Sequence, residues 1–122
     1  MSDAQRPRYD LKERLFAFAV SIVKLVRGLP NEVAAREIGR QLIRAGTSIA
    51  ANYEEALGSF SKKEFTYKLS TSFRESKEAN LWLRLLERME IIGVDHHQPI
   101  LKESQEIGNI LGKGVSTARK SL

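Results

Sequence analysis

The chain has 122 residues with a formal net charge of +5, 42% hydrophobic and 29% charged residues, and no cysteine. This length predicts one domain, and the composition is that of a globular protein rather than a disordered one. The lack of cysteine excludes disulfide frameworks, thiol nucleophiles and thiolate zinc sites, and it fits a cytoplasmic location. A basic surface attracts phosphate polyanions, although charge alone does not identify the partner.

Apolar periodicity divides this single domain, residues 1–122, into four predicted helices. Their approximate bounds are residues 10–27, 32–57, 62–91 and 99–121. The longest apolar stretch is shorter than the roughly 20 residues that span a bilayer, so no membrane helix is predicted. Acidic residues are mixed into the basic N-terminal region and no cleavage site follows, so we expect no signal peptide.

The helix boundaries carry recognisable signals. The three prolines lie between the predicted helices or before them, because proline interrupts a helix: Pro7, Pro30 and Pro99. Asn31 is the expected cap of the second helix. Ser61 followed by Glu64 is a capping-box signature for the third helix, and Gly93 follows its expected end.

Within each predicted helix, steps of three and four residues place a seam of mostly apolar side chains on one face. The first seam is Leu11, Leu15, Phe18, Ile22, Leu25 and Leu29. The second is Ile38, Leu42, Ala45, Ile49, Asn52 and Ala56. The third is Phe65, Leu69, Ser72, Ser76, Ala79, Leu83, Leu86 and Met89, and the fourth is Leu101, Ser104, Gly108, Leu111, Val115, Ala118 and Leu122. These seams predict an all-α fold, an antiparallel up-and-down four-helix bundle.

Nearly every side chain in the middle of the second helix is small. Small side chains permit close helix approach, and Gly39 and Gly46 are seven residues apart, so they are placed to line a groove for a neighbouring helix. Asn52 interrupts the seam with an amide, for which Ser48 and Ser76 are the candidate partners. We expect Asn52 to fix the packing register rather than to perform chemistry.

The first and third helices carry apolar residues outside their seams. Single exposed apolar residues are ordinary, and a four-helix core can be wider than one seam. A contiguous apolar patch is instead typical of a protein interface, and we favour self-association. The predicted oligomer interface comprises Phe16, Val23, Val26, Gly46, Leu81, Trp82 and Leu85.

Two helices also carry a resemblance to a known family. In residues 41–56, 63–69 and 76–83 the chain resembles a bacterial four-helix-bundle family that includes proteins encoded in ribosomal RNA intervening sequences. The same family includes the accessory variability proteins of diversity-generating retroelements. That resemblance implies a homopentameric barrel that binds nucleic acid and a reverse transcriptase, whereas the residues themselves indicate only more than one subunit.

Basic residues form two ridges on the outer faces of the second and third helices. The predicted nucleic-acid-binding residues are Arg36, Arg40, Arg44, Arg74, Lys77, Arg84 and Arg88. Assembly of several subunits would multiply these ridges, and we expect contacts mainly to RNA or DNA phosphates, with low sequence preference and steep salt dependence. The alternative is a solvated face with local ion pairs, because four acidic residues lie nearby: Glu37, Glu75, Glu78 and Glu87.

No residue pattern indicates an enzyme. Di-metal sites in helix bundles use Glu-x-x-His pairs, whereas His96 and His97 are adjacent in a predicted connection. With Asp95 they form at most a weak metal site, and a solvated loop pair is the favoured interpretation. Residues 112–117 are glycine-rich but lack the order of a phosphate-binding loop. We expect no catalytic residue, no metal and no cofactor.

The sequence therefore predicts a cytoplasmic, non-enzymatic accessory protein that forms a homo-oligomer and binds RNA or DNA. A reverse transcriptase is a further partner that the resemblance implies, and no membrane is involved. The alternative is a protein-protein adaptor that receives a partner helix on its apolar third-helix surface without binding nucleic acid. The two hypotheses differ in salt dependence, because phosphate binding weakens with salt and apolar binding does not.

Overall fold

The computed structural model describes residues 9–92 and 94–122, and for residues 9, 10 and 94–96 it describes only the backbone. This part of the chain forms four α-helices and no strand, which confirms the all-α class. The helices are α1 (Tyr9–Arg27), α2 (Val33–Leu57), α3 (Lys62–Arg88) and α4 (Val94–Lys120). Among the described residues, no helix is both long enough and apolar enough to cross a membrane.

Each helix packs against the next helix along the chain, and the contacts run antiparallel. Between α2 and α3, Glu55 pairs with Lys68 while Arg44 pairs with Glu75, so that rising residue numbers in one helix meet falling numbers in the other. The first and last helices also touch, although this pair makes the fewest contacts. The packing is that of an antiparallel bundle with one weak edge, between α1 and α4.

One arginine bridges that weak edge. Arg14 of α1 donates two hydrogen bonds to the carboxylate of Glu103 in α4, at 2.8 and 2.7 Å. Its guanidinium also lies 3.6 Å from the carboxylate of Glu106. Two parallel N–H···O bonds make this a directional contact, which links the helices where apolar packing is sparse.

The predicted seams form the core, since most of their apolar side chains are buried. Burial of one such side chain contributes about 1.5 to 3 kcal/mol before the entropy of ordering is subtracted. The largest fully buried apolar side chains are Leu15, Ile22, Leu42, Ile49, Leu83, Leu86, Ile107 and Leu111. Met89 and Leu122, at the ends of two seams, are exposed, because neither is covered by another helix. In α4 the core position is occupied by Ile107, one residue before the predicted seam residue Gly108, which is only half-buried.

The glycines of α2 receive α1. A Cβ atom added at Gly46 would lie 3.0 Å from Cγ2 of Ile22, and one at Gly39 would lie 3.0 Å from Cγ1 of Val26. Branched side chains of α1 therefore fill the space that the missing side chains leave. The neighbouring helix expected in this groove is a helix of the same chain.

Two helix starts show how the caps work. The hydroxyl of Ser61 accepts a hydrogen bond from the backbone N–H of Glu64 at 3.0 Å, as the capping-box signature predicts. At the start of α2 the expected cap, Asn31, is wrong by one residue. Glu32 occupies that position, and its carboxylate accepts from the N–H of Ala35 at 2.7 Å. A carboxylate is favourable there because the N-terminal end of a helix carries partial positive charge.

The end of α3 differs from the prediction that it continues to about residue 91. The helix ends at Arg88, and Glu90 adopts a left-handed conformation with φ of 57°. The N–H of Ile91 then reaches the carbonyl of Leu86 at 3.1 Å, which closes a Schellman motif. A glycine usually occupies the left-handed position, so the sequence concealed this stop. The expected exit, Gly93, lies outside the described residues.

The start of α4 also corrects a prediction. The helix begins at Val94, so Pro99 lies inside it rather than in a connection. A proline there costs one backbone hydrogen bond, to the carbonyl of residue 95. The earlier start extends the seam by one turn, since His97 lies four residues before Leu101 and is completely buried. Pro99 is exposed in the second turn of α4, so it removes that one bond near the start of the helix and leaves the later turns intact.

Three polar side chains inside the bundle find partners. The amide of Asn52 donates to the carbonyl oxygen of Ser48 at 2.9 Å, within α2. The hydroxyl of Ser72, which is fully buried, donates to the carbonyl of Ile49 at 2.8 Å and joins α3 to α2. The hydroxyl of Ser76 donates within α3 instead, at 2.6 Å. The hydrogen bond of Asn52 therefore uses Ser48, and not Ser76.

Candidate nucleic-acid interface

Local ion pairs engage much of the basic ridge on α2. Arg40 lies 2.6 Å from the carboxylate of Glu37. Arg44 lies 3.0 Å from the carboxylate of Glu75 and also contacts that of Glu78, so it joins α2 to α3. At Arg40 and Arg44 the structure therefore agrees with the alternative of a solvated face with local ion pairs. The nearby carboxylates reduce the positive potential that a phosphate would meet there.

Arg36 differs from the other two arginines of this ridge. Its guanidinium donates to the side-chain oxygen of Asn31 at 2.7 Å, and this partner is neutral. Arg36 is exposed at the beginning of α2. It is therefore the arginine of the α2 ridge whose charge is least compensated.

Four basic residues from the middle to the end of α3 lie with one leucine on an exposed face, which we call the basic stripe. It comprises Arg74, Lys77, Leu81, Arg84 and Arg88. Steps of three, four, three and four residues place the five side chains in one line along the helix. Leu81, at the centre of the line, is 45% exposed. The stripe thus joins four cations to one apolar contact.

The cations of the basic stripe have neutral neighbours. Arg74 donates to the hydroxyl of Thr71 at 3.4 Å, and the ammonium of Lys77 lies 5.6 Å from the centre of the Phe73 ring. Among the described residues, no carboxylate forms an ion pair with any of the four cations. The positive potential of α3 is therefore less compensated than that of α2, which distinguishes two ridges that look alike in sequence.

An open groove of about 340 Å³ runs beside the stripe, between α3 and α4, and we call it the polar groove for its side chains, although carbon atoms form the larger part of its exposed wall. It is lined by Phe73, Ser76, Lys77, Asn80 and Arg84 of α3 and by Ser104, Gln105, Gly108 and Asn109 of α4. Asn80 donates to the hydroxyl of Ser104 at 3.3 Å and accepts from Nε of Arg84 at 2.8 Å. This chain of contacts holds the guanidinium of Arg84 by one edge and leaves its two terminal nitrogens for a ligand.

The predicted oligomer interface is divided among exposed, half-buried and buried positions. Phe16 and Leu81 are exposed, whereas four further residues are half-buried: Val23, Val26, Trp82 and Leu85. Val26 and Trp82 pack against the core of their own chain. Gly46 is buried against α1, so its assignment to an interface between chains is wrong. A buried glycine cannot contact another subunit, because Ile22 already occupies the space beside it.

The prediction of a solvated histidine pair is wrong for His97. Its imidazole is fully buried in α4, and its Nε2 lies 3.2 Å from the Glu87 carboxylate, which also accepts from Gln98 at 3.0 Å. Burial lowers the pKa of His97 because it disfavours the charged form, and Glu87 opposes this shift. The side chain of His96 lies outside the described residues. Within the described residues, no group of three His, Asp or Glu is arranged to hold a metal ion.

The amide side chains of the groove were not among the residues predicted from the sequence to bind a ligand. Asn80 lies four residues before Arg84, and Gln105 lies four residues before Asn109. Each pair therefore shares one face of its helix. This spacing was visible in the sequence, but only the packing of α3 against α4 shows that the two faces line the same groove.

Comparison with known proteins agrees with this architecture. The profile of the family described as 23S rRNA-intervening sequence protein matches residues 8–113. The chain is also similar to a crystal structure of a protein from Bacteroides thetaiotaomicron, assigned to the S23 ribosomal protein family and of unknown function, with 35% identity and a TM-score of 0.78. That alignment covers 86% of this chain and 97% of the other. No match was found among curated proteins. The profile match spans most of the chain, which therefore belongs to the family of 23S rRNA-intervening sequence proteins.

Proposed function

We propose that this protein is a non-enzymatic accessory protein that binds RNA through its phosphates, with the basic stripe of α3 as the contact surface. The observation that carries this proposal is the absence, among the described residues, of any carboxylate paired with the four cations of the stripe. The family is named for an intervening sequence of 23S rRNA, which favours RNA over DNA as the ligand.

The proposal has a quantitative consequence for salt dependence. A protein that neutralises Z phosphates of a single strand loses affinity with a logarithmic salt slope of about −0.7Z. The four cations of one stripe therefore give a slope of about −3 for each subunit. Such binding has low sequence preference, because phosphates are the same at every position of the chain.

Assembly would strengthen binding by presenting several stripes to one RNA molecule. We propose that the α1 face supplies the contact between subunits, since Phe16 and Val20 are exposed there. Leu81 is less suitable, because it lies among the cations and a second stripe packed on it would bring like charges together. The pentamer and the reverse transcriptase partner rest on the resemblance to retroelement accessory proteins alone.

The experiment compares two variants that lose the same charge. Arg74→Gln/Arg84→Gln/Arg88→Gln removes three cations of the basic stripe, and Lys63→Gln/Arg119→Gln/Lys120→Gln removes three exposed cations near the start of α3 and the end of α4. The three control residues belong neither to the stripe nor to the groove lining, and none of them is on the α1 face proposed for assembly, so the control leaves all three surfaces intact. Affinity for a labelled single-stranded RNA is measured by fluorescence anisotropy between 50 and 300 mM NaCl, concentrations chosen to bracket about 100 mM.

We expect the stripe variant to lower the magnitude of the salt slope by about 2, and the control variant to leave the slope close to that of the wild type. Equal losses in the two variants would mean that net charge, and not the stripe, determines binding. Binding of a protein partner that survives high salt, with no RNA binding, would favour the adaptor instead.

Light-scattering mass, measured alone and with RNA, tests the proposed assembly. An oligomer that Phe16→Ser converts to monomer is the expected result, since a polar side chain removes the exposed aromatic contact. A wild-type protein that remains monomeric at high concentration, with and without RNA, would contradict the proposed assembly. The proposed RNA contact on α3 would then still be tested by the salt dependence of binding.

A further inference from the structure

The polar groove between α3 and α4 contains more than phosphate binding requires. Lys77 and Arg84 lie seven residues apart on α3, which separates them by about 10 Å along the helix axis. Three side-chain amides line the groove with them: Asn80, Gln105 and Asn109. Amides carry no charge and contribute little to the attraction of a polyanion, so their position among the cations suits a ligand with hydrogen-bonding groups beside its phosphates.

Arg84 is positioned before any ligand arrives. Its Nε donates to the side-chain oxygen of Asn80, whose amide nitrogen is 3.3 Å from the hydroxyl of Ser104. Ser104 is almost completely buried, so this chain of contacts is anchored in the core. A guanidinium held in this way loses less side-chain entropy on binding than a free one, which favours a fixed phosphate position at this end of the groove.

The opposite wall supplies unused hydrogen-bonding groups. Gln105 and Asn109 are exposed, and within the described residues neither side chain has a hydrogen-bond partner. Each amide offers both a donor and an acceptor, which matches the mixed donor and acceptor edge of a nucleic-acid base. The groove volume of about 340 Å³ lies within the range of small-ligand sites, roughly 300 to 1,000 Å³.

We infer that the polar groove accepts one unpaired nucleotide, with the base edge on Gln105 and Asn109 and the flanking phosphates at Lys77 and Arg84. This inference rests on the proposed function and deepens it, because it makes the ligand single-stranded. In an RNA duplex the Watson–Crick edge is already paired and the major groove is too narrow and deep for side chains to reach the bases.

The test compares a labelled 12-nucleotide single-stranded RNA without secondary structure and a blunt RNA duplex of the same length, by fluorescence anisotropy at fixed salt. The variant is Gln105→Ala/Asn109→Ala, whose exposed positions leave the core unchanged. The control is Thr117→Ala, an exposed α4 residue outside the groove. Thermal melts confirm that each protein is folded.

We expect the wild type to bind the single strand more tightly than the duplex. The double variant weakens single-strand binding about five- to thirtyfold, as the loss of two net hydrogen bonds implies, and leaves duplex binding within about twofold of the wild type. Thr117→Ala changes neither affinity. Equal wild-type affinity for the two forms, or an equal loss in both, would overturn the groove inference while leaving phosphate binding by the stripe intact. No binding of either RNA would overturn both proposals.

Asn80→Ala supplies an independent readout. Asn80 acts here as a positioning residue, so its removal frees the Arg84 guanidinium without changing the number of cations. Single-strand affinity then falls about threefold while the salt slope stays that of the wild type, because the slope counts neutralised phosphates. A changed slope, or an unchanged affinity, would show that Asn80 does not position Arg84 for RNA.

Discussion

Gly46 of the α1/α2 pair and Gly108 of the α3/α4 pair both lie where two helices approach, yet the first contact is closed and the second borders a groove. One turn beyond Gly108 the α3/α4 contact closes again, since a Cβ added at Gly112 would lie 3.0 Å from the Phe73 ring. At the first pair, Gly46 meets the branched side chain of Ile22. At the second pair, the position of a Cβ added at Gly108 meets only the hydroxyl of Ser76, at 3.6 Å. The difference lies in the residue opposite each glycine, and it decides whether the space becomes core or a site that a ligand can enter.

The side chains around the glycines differ in polarity between the two regions. The closed pair surrounds its glycines with Val26, Leu29 and Ile22, none of which can bind a polar ligand. The groove beside Gly108 is lined by hydroxyl, amide and cationic groups together with the ring of Phe73. A small residue in a helix is therefore evidence of close approach only. The residue that it faces determines whether the approach serves stability or function.

The largest expected effect is at the closed pair. Gly46→Val places two methyl groups against Ile22, which is fully buried and has no room to move, and we expect a loss of about 3 kcal/mol in the free energy of unfolding. Urea denaturation measures the loss. The matched variant Gly46→Val/Ile22→Ala should recover part of it, since the alanine vacates the space. A single variant as stable as the wild type would show that the contact is not close.

The opposite sign is expected at the open pair. Gly108→Ala adds a Cβ at an ordinary contact distance and removes the helix penalty of glycine, so the free energy of unfolding should rise by about 0.5 to 1 kcal/mol. The same urea series gives the answer, with Gly46→Ala as the matched substitution at the closed pair. If both alanines changed stability in the same direction, the contrast between the two regions would fail.

The smallest expected effect on stability near pH 7 comes from His97. This side chain is buried where the start of α4 meets the end of α3. Because burial lowers its pKa below 6.5, the unfolded chain takes up a proton on this group at a pH where the folded chain does not. The free energy of unfolding therefore does not depend on the protonation of His97 at a pH well above 6.5. It declines as the pH falls below 6.5, because protonation of His97 then favours the unfolded chain.

Thermal melts between pH 8 and pH 5 test the sign of this contribution, in a range about the ordinary histidine pKa of 6.5. His97→Leu should flatten the decline below pH 6.5, because leucine fills a similar volume and does not titrate. Both proteins should show little change between pH 7 and pH 8. A wild type that gains stability on acidification through this range would contradict the buried, neutral histidine.

Much of the fold could be predicted because periodicity and burial express the same geometry. Leu15, Ile22, Leu42 and Leu83 were assigned to seams from their spacing, and all four are fully buried. Local signals failed at the α3–α4 connection, where two exceptions coincide. A glutamate takes the left-handed position usual for glycine, and Pro99 lies in the second turn of a helix that begins five residues before it.

The candidate site was only half visible in the sequence. Arg44 and Arg84 carry the same charge on similar helix faces, and nothing local distinguishes them. In three dimensions Arg44 lies beside Glu75 and Glu78 of another helix, whereas Arg84 lies beside the amide of Asn80. The groove itself was missed because it needs two helices whose facing residues are far apart in the chain: Asn80 faces Ser104, 24 positions later, and Ser76 faces Gly108, 32 positions later.

The sequence by itself determined the helical class, the seams and the positive charge, because spacing within one helix and the sign of each side chain are local properties. Only the tertiary structure decided which charges are neutralised, that Gly46 belongs to the core and that α3 and α4 share a polar groove. These features depend on distances between residues far apart in the chain, and the packing of one helix on another sets those distances.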